Sequence, residues 1–312
     1  MYYLVYGLLY LLSLLPMRML YVLSDCIYVL LYLVFGYRRL VVLQNLRIAF
    51  PEKSEEDRKG IAKKFYRLFI DSFIETIKLL SCSSNFLEKR FCANWNEARE
   101  LYEEGFSCQM HLGHNFNWEW GNVLISKSVP QKVAVVYMPI ANKAMERLFL
   151  KLRTRTGSAM IPATPTDAFR SALKELKNEK FLLGLVADQS PGNPSKAYWL
   201  NFFGKPTAFV TGPEKGARLN NLPVLFAVMK RTKRGYYEGI MKLATKEPRN
   251  LKEGELTVMF ARFQEDVIRQ QPENWLWSHR RWKREWKPEY QDLWIDDPGL
   301  MPEIQQATGN RQ

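Results

Sequence analysis

Two of the three histidines in this 312-residue chain stand together in His111-Leu-Gly-His114-Asn-Phe-Asn-Trp-Glu119. An imidazole titrates near neutrality and can take a proton from a hydroxyl, and a carboxylate on its other nitrogen holds the tautomer that does so. Glu119 follows His114 after four residues. On one continuous helix, positions so spaced lie about 140° apart and do not face each other. The pair can cooperate only if the chain turns between them. Gly113, Asn115 and Asn117 are turn formers, and Trp118-Glu119-Trp120 can open a helix. The expectation is a strand, a turn carrying His114 and a helix start carrying Glu119. The bland alternative is a surface or capping histidine.

Three other groupings carry chemistry. Arg153 and Arg155 lie two apart, so they do not share a helix face and can reach different ligands. A guanidinium is a planar fork suited to phosphate or carboxylate, although a solvated basic helix end fits as well. Asp188-Gln189 directly follows the apolar run Phe-Leu-Leu-Gly-Leu-Val-Ala. An acid at the carboxyl end of a strand is where open α/β sheets gather ligands, or it caps a turn. Trp275-Leu-Trp-Ser-His279-Arg-Arg-Trp-Lys-Arg-Glu-Trp286-Lys interleaves aromatics with cations. Such a run can stack single-stranded nucleic acid or sit at a bilayer surface. No second ligand pair has zinc spacing, so no metal is expected.

The elements that position these residues follow from periodicity. Residues 1–37 are almost wholly apolar, in two runs split by Pro16 and Arg18, rich in tyrosine and closed by Arg38 and Arg39. They read as a membrane anchor, one spanning helix or a shallow hairpin, with Arg38 and Arg39 on the cytoplasmic side; a buried pair of core helices is the alternative. Ser54 caps a helix with Glu55, Glu56 and Asp57 in its first turn and an apolar stripe through Phe65, Leu68, Phe69 and Phe73. Strands are expected at 132–137, 159–162, 181–187, 224–229 and 239–243. Helices are expected at 94–104, 142–155, 167–178 and 256–270. Strand alternating with helix predicts an α/β fold, a mixed and mostly parallel sheet flanked by helices. The polar tail, 291–312, reads as flexible. A net charge of +13 implies an acidic partner, whether nucleic acid, anionic lipid or an acidic carrier protein. Four cysteines without C-x2-C pairing imply reduced thiols.

His114 to Glu119 resembles the His-x4-Asp/Glu signature of glycerolipid-type acyltransferases, and most closely the HFGNWE form of the lipid A biosynthesis (lauroyl/myristoyl) acyltransferase family. The residues of the turn depart from that form, so the turn differs while the His-to-Glu spacing is kept. Further blocks occur in the family's order: Asn45-Leu46…Ala49-Phe50-Pro51, Arg153-Thr-Arg155, Asp188-Gln189, Asn201-Phe-Phe-Gly204 with Gly212-Pro213, and Pro272 to Lys283. The resemblance covers about residues 39–287. It implies a glycerolipid acyltransferase-like fold, with an anchor over 1–37 and the acyltransferase domain over 38–290. It also implies transfer of a fatty acyl chain from acyl-carrier protein to a hydroxyl of a phosphorylated glycolipid, a lipid A precursor. The enzyme would work at the cytoplasmic face of the inner membrane, without a cofactor and without nucleic acid. In this reading His114 is the base and Glu119 orients it. Arg153, Arg155, Asp188 and Gln189 contact substrate, and the Gly204 region borders an acyl groove or simply packs. Another acceptor, such as a lysophospholipid, glycerol phosphate, an ornithine lipid or a glycosylated phospholipid, fits the same chemistry. A membrane-tethered lipid- or nucleic-acid-binding protein without catalysis is the non-enzyme alternative.

Overall fold

The computed structural model describes residues 2–163, 174, 176 and 179–302. Its strands are β1 (Phe91–Ala93), β2 (Cys108–Leu112), β3 (Lys132–Tyr137), β4 (Ala159–Pro162), β5 (Phe181–Val186), β6 (Tyr198–Phe202), β7 (Lys205–Phe209), β8 (Val224–Lys233) and β9 (Tyr236–Thr245). Seven of them form one sheet in the order β1-β9-β8-β2-β5-β3-β4, and β6 and β7 form a separate hairpin. All pairings in the large sheet are parallel except β8 with β9. This is the expected mixed, mostly parallel sheet. Strand β2 lies at its centre, and the first four of its five residues are buried, because helices cover both faces.

The helices are α1 (Tyr2–Leu14), α2 (Met17–Tyr28), α3 (Arg39–Ala49), α4 (Glu55–Lys78), α5 (Ser84–Glu88), α6 (Asn96–Glu103), α7 (Trp118–Ser128), α8 (Lys143–Arg153), α9 (Gly212–Asn220) and α10 (Glu255–Gln270). Pro51 follows the end of α3, as a residue without an amide proton must. Helix α4 opens with a capping box: the Ser54 hydroxyl accepts from the Asp57 amide at 3.1 Å, and the Asp57 carboxylate accepts from the Ser54 amide at 3.3 Å. The helix expected at 167–178 lies almost wholly outside the described residues.

Two boundaries differ from expectation. Residues 1–37 do not stand apart from the catalytic fold, because α1 and α2 lie against α4. The Ser24 hydroxyl donates to buried Asp71 at 2.6 Å, and Lys78 donates to the Ser13 carbonyl at 2.7 Å. Leu20, Tyr28 and Tyr32 join the main core. The opposite face leaves Leu4, Leu8, Leu11, Val22, Leu30 and Leu33 exposed. The span Met17–Val34, where α2 runs on into a wider π-helical turn, is long and apolar enough to cross a membrane. At the other end, 291–302 are not loose. The Ile295 amide donates to the Trp199 carbonyl at 2.9 Å, and half-buried Asp296 accepts from the Asn201 amide at 3.0 Å. A polar segment packs here because its acid satisfies an edge amide of β6.

Candidate active site

The sheet register decides which side chains meet. Strand β2 pairs with β5 from Cys108↔Leu182 through Leu112↔Val186, a constant offset of 74 residues. Carried two residues past the strand ends, that offset sets His114 opposite Asp188. The contact is made: His114 Nδ1 lies 2.5 Å from Asp188 Oδ1, and the His114 amide donates to Asp188 Oδ2 at 2.8 Å. Trp275 donates its indole N–H to the same Oδ2 at 2.7 Å. Asp188 is buried, which by itself raises a carboxyl pKa; the His114 charge and these hydrogen bonds outweigh burial and hold it down at about 2.

A carboxylate only accepts, so Nδ1 carries the proton and Nε2 of the neutral ring presents a lone pair. Gln189 Nε2 lies 2.7 Å from that lone pair, as an amide donor would. The other face of the ring meets Trp118 edge-on, with centroids 5.9 Å apart.

Glu119 serves a different partner. Arg153 donates to it through Nε at 3.0 and 3.1 Å and through Nη2 at 2.6 Å, and Trp118 adds its indole N–H at 3.1 Å. The carboxylate that accepts from the His114 ring is therefore Asp188, where Glu119 was expected. The physical reason is α7: Glu119 sits in its first turn and points toward the end of α8, while the ring follows β2 toward β5. Arg155, expected to contact substrate, instead donates to the Leu79 carbonyl and, at 3.0 Å, to the Cys82 carbonyl. It caps the C-terminal end of α4, where a cation complements the helix dipole. His111 faces the other side of the sheet between Phe226 and Phe260, and burial lowers its pKa to about 3. His279 is held near 4, first by burial and then by Arg281, and its Nε2 accepts from the Ser190 amide at 3.4 Å.

The carboxyl-terminal block is interior. Trp275, Trp277, Trp282 and Arg281 are all buried, so neither nucleic-acid stacking nor a place at the headgroups describes these tryptophans. They hold the His114 turn. Asn274 accepts from the Phe116 amide at 3.1 Å through its side chain and from the Asn115 side chain at 3.2 Å through its carbonyl. Asn45 in α3 donates to the Trp277 and His279 carbonyls at 2.8 and 2.7 Å. Phe202 and Phe203 of the β6–β7 hairpin pack in the same core, while Val210, Gly212 and Pro213 just beyond it line the cavity described next. At Gly113 a Cβ would collide with the Gln264 side chain, so glycine here lets α10 pass close to the end of β2. Sequence reading missed Trp275 and Asn274 as individuals; only the block containing them carried a signal.

A cavity of about 920 Å³ opens beside these groups. His114, Glu119, Arg153 and Gln189 line one part of it. Most of the rest is apolar and runs down the α7 face of the sheet, past Val135 and Gly184 to Met110, Val133 and Met241, with Asn122, Ser190 and Lys215 among the other lining residues. From Val133 to Tyr137 the strand covers about 13 Å at 3.3 Å per residue. An imidazole whose Nε2 meets the Gln189 amide thus stands at one end of a slot shaped for a long apolar chain.

A histidine just after the central strand, at the edge of an apolar slot, suits chemistry on a substrate that carries a long apolar chain. The model of the bacterial lipid A biosynthesis acyltransferases matches residues 1–284, and the chain belongs to that family. It is an acyltransferase. It is similar to the lipid A biosynthesis palmitoleoyltransferase of Escherichia coli K12, 24% identical over 249 residues, which are 79% of each chain. The lipid A biosynthesis acyltransferase of Shigella flexneri matches with the same identity and coverage.

Proposed function

We propose that this enzyme transfers a fatty acyl chain from acyl-carrier protein to a hydroxyl of a phosphorylated lipid A precursor at the cytoplasmic face of the inner membrane. Asp188 holds the Nδ1 proton of His114, and Nε2 takes the acceptor hydroxyl's proton as its oxygen attacks the thioester carbonyl. When the tetrahedral intermediate collapses, the C–S bond breaks and the imidazolium returns the proton to the departing thiolate. Gln189 marks the place at Nε2 that the acceptor hydroxyl takes. The Arg153 guanidinium, fixed by Glu119 at the cavity wall, supplies positive charge for the oxyanion or for an acceptor phosphate. The apolar slot takes the acyl chain, and the basic chain suits an acidic carrier and an anionic lipid.

The observation that carries this reading is the Asp188–His114–Gln189 line at the mouth of the slot. The test is transfer from acyl-carrier thioesters by the detergent-solubilised protein to a tetra-acylated lipid A precursor, with lysophospholipid and glycerol phosphate in parallel. We expect transfer to the lipid A precursor, reduced by about 10³-fold or more in His114→Ala. Transfer to another acceptor alone discards the acceptor and keeps the mechanism. Full activity in His114→Ala discards the base.

A further inference from the structure

Behind the His114 turn, a carboxyl group is buried where packing alone would favour a hydrocarbon. Glu75 in α4 is completely inaccessible. Three donors from three elements converge on it: Tyr21 of α2 at 2.8 Å, Asn117 at 3.0 Å, and Tyr237 of β9 at 2.6 Å. Its own carbonyl accepts the Trp120 indole N–H at 3.0 Å. Burying a carboxyl costs several kcal/mol unless hydrogen bonds offset it, so each of these donors matters to where the others sit. Asn117 is the sensitive member. It lies three residues beyond His114, and its side-chain oxygen caps α7 at the Trp120 amide, 3.4 Å away. The Glu75 carboxyl therefore fixes the side chain that joins the His114 turn to its helix.

Tyr21 brings in the opposite end of the chain. It lies on α2, beside the outward-facing Met19 and Val22. One turn along α4 from Glu75, Asp71 accepts from Ser24 and from Arg231 at 2.6 Å each, and Arg234 bridges Asp71 to Asp25 at 2.7 Å on both sides. These bonds set α2 in register over α4, which is what delivers the Tyr21 hydroxyl to Glu75. If α2 lifts away, Glu75 Oε1 is left unpaired in the interior, and a partly satisfied buried network rearranges.

We propose that Glu75 is a positioning residue for the His114 turn, and that Tyr21 makes its setting depend on the docking of the apolar N-terminal helix. A helix that presents its other face outward can thereby tie turnover to seating of the enzyme on a lipid surface. The catalytic half of this inference rests on His114 being the base; the positional half does not.

The experiment uses the full chain. Amide hydrogen exchange over residues 113–121 and acyl-transfer kinetics are measured for Tyr21→Phe, Asn117→Ser and the double variant. Phe keeps the ring, and Ser keeps a cap but cannot reach Glu75. We expect each single variant to speed exchange in that segment about tenfold and to lower kcat about fivefold, with KM within about twofold. Tyr21 and Asn117 do not touch, so independent effects would multiply; coupling through Glu75 makes the double variant little worse than either single one. Glu75→Leu loses most of kcat, and Glu75→Gln, which keeps the shape, an acceptor oxygen for Asn117 and Tyr237 and an amide that can donate to the Tyr21 oxygen, restores much of it. Unchanged exchange and kcat in Tyr21→Phe, or multiplying effects in the double variant, overturn the proposal. If Glu75→Leu does not fold, the Tyr21/Asn117 pair decides alone. Full turnover in His114→Ala would sink the base assignment while leaving the exchange result to judge the positioning.

Discussion

Two buried carboxylates flank the cavity mouth, and they are bonded to opposite kinds of cation. Asp188 faces an imidazole, whose charge appears only when it takes up a proton. Glu119 faces a guanidinium, which is charged at every accessible pH. In the proposed mechanism the first pair becomes an ion pair as the proton moves, so its attraction grows along the reaction coordinate. The second pair is the same before and after and provides a constant field. Catalysis gains only from interactions stronger in the transition state than in the ground state. By that criterion the proposed mechanism makes of the His-x4-Glu spacing two different devices, not one dyad.

Breaking the pairs in turn separates them. The largest loss is expected from the imidazole and its carboxylate. Asp188→Asn keeps the shape but can donate to Nδ1, which favours the wrong tautomer, and we expect turnover to fall about 10²–10⁴-fold. Combined with His114→Ala, the loss should be little greater than for His114→Ala alone, because the two act as a unit. Glu119→Gln leaves the imidazole tautomer untouched and should cost far less than Asp188→Asn in steady-state kinetics. Equal losses for these two isosteric variants would return Glu119 to the orienting role.

Arg153→Met tests the constant pair from its other side. It leaves the Glu119 carboxylate buried without its cation, and breaking a buried pair this way destabilises by about 3–5 kcal/mol. Thermal unfolding should show a clear drop in midpoint, and Glu119→Leu in the same chain should recover much of it. Turnover should not recover with it, since the guanidinium stays absent from the cavity wall. Recovery of both would make the pair purely structural.

The slot itself offers a smaller, directional effect. A Cβ built on Gly184 would meet Val135 Cγ2 at 3.4 Å, the Ala134 carbonyl oxygen at 3.7 Å and Met110 Cε at 3.8 Å, all ordinary contacts. Gly184→Ala should be tolerated, and Gly184→Leu should fill the slot beside Val135. Offered thioesters of graded length, the Leu variant should shift its preference toward shorter chains with kcat on the shortest retained. A uniform loss at all lengths would mean the acyl chain lies elsewhere.

Much of this architecture was legible from local pattern. The strands expected at 132–137 and 159–162 appear with those bounds, because a short β-branched or apolar run between turn residues leaves little choice. His114 and Asp188 were both visible as candidates. Their pairing was not, because it depends on β2 and β5 being neighbours in the sheet, and strand order is not written in any local periodicity. Glu119 seemed the natural partner only because it is near in sequence. The Trp275 to Lys283 run was misplaced for a related reason: Trp beside Arg reads as an interface, yet Arg281 is itself buried, with its guanidinium 4.2 Å from the centre of the Phe209 ring. Asp71 and Glu75 lie on the buried side of α4 with Phe65, Leu68 and Ile74, while Phe73 of the expected apolar stripe is exposed. Which polar residues of such a stripe turn inward depends on donors from other elements, here Tyr21, Asn117, Tyr237 and Arg231.

The smallest effect concerns the third bond on Asp188. Trp275→Phe keeps the aromatic packing against Phe202, Trp277 and Trp282 and removes only the indole N–H. Losing a hydrogen bond to a buried charge costs about 1.5–3 kcal/mol. At neutral pH Asp188 remains ionised with or without that bond, because His114 still provides two of its three donors. Turnover there should fall only about threefold, through looser positioning of the ring. The acid side is more telling. Asp188 is held at about 2, below its ordinary 3.8, so its contribution to stability is fully present above that ordinary value and is lost as pH falls toward 2. Removing the indole donor moves the folded-state value upward, so less stability is gained and it is lost at higher pH. Acid unfolding followed by tryptophan fluorescence should therefore begin at higher pH in Trp275→Phe than in the parent chain, while Glu119→Gln should leave this carboxylate's contribution unmoved. An unshifted acid limb in Trp275→Phe would mean that the two His114 donors alone set the Asp188 charge, and that the carboxyl-terminal block only packs behind the turn.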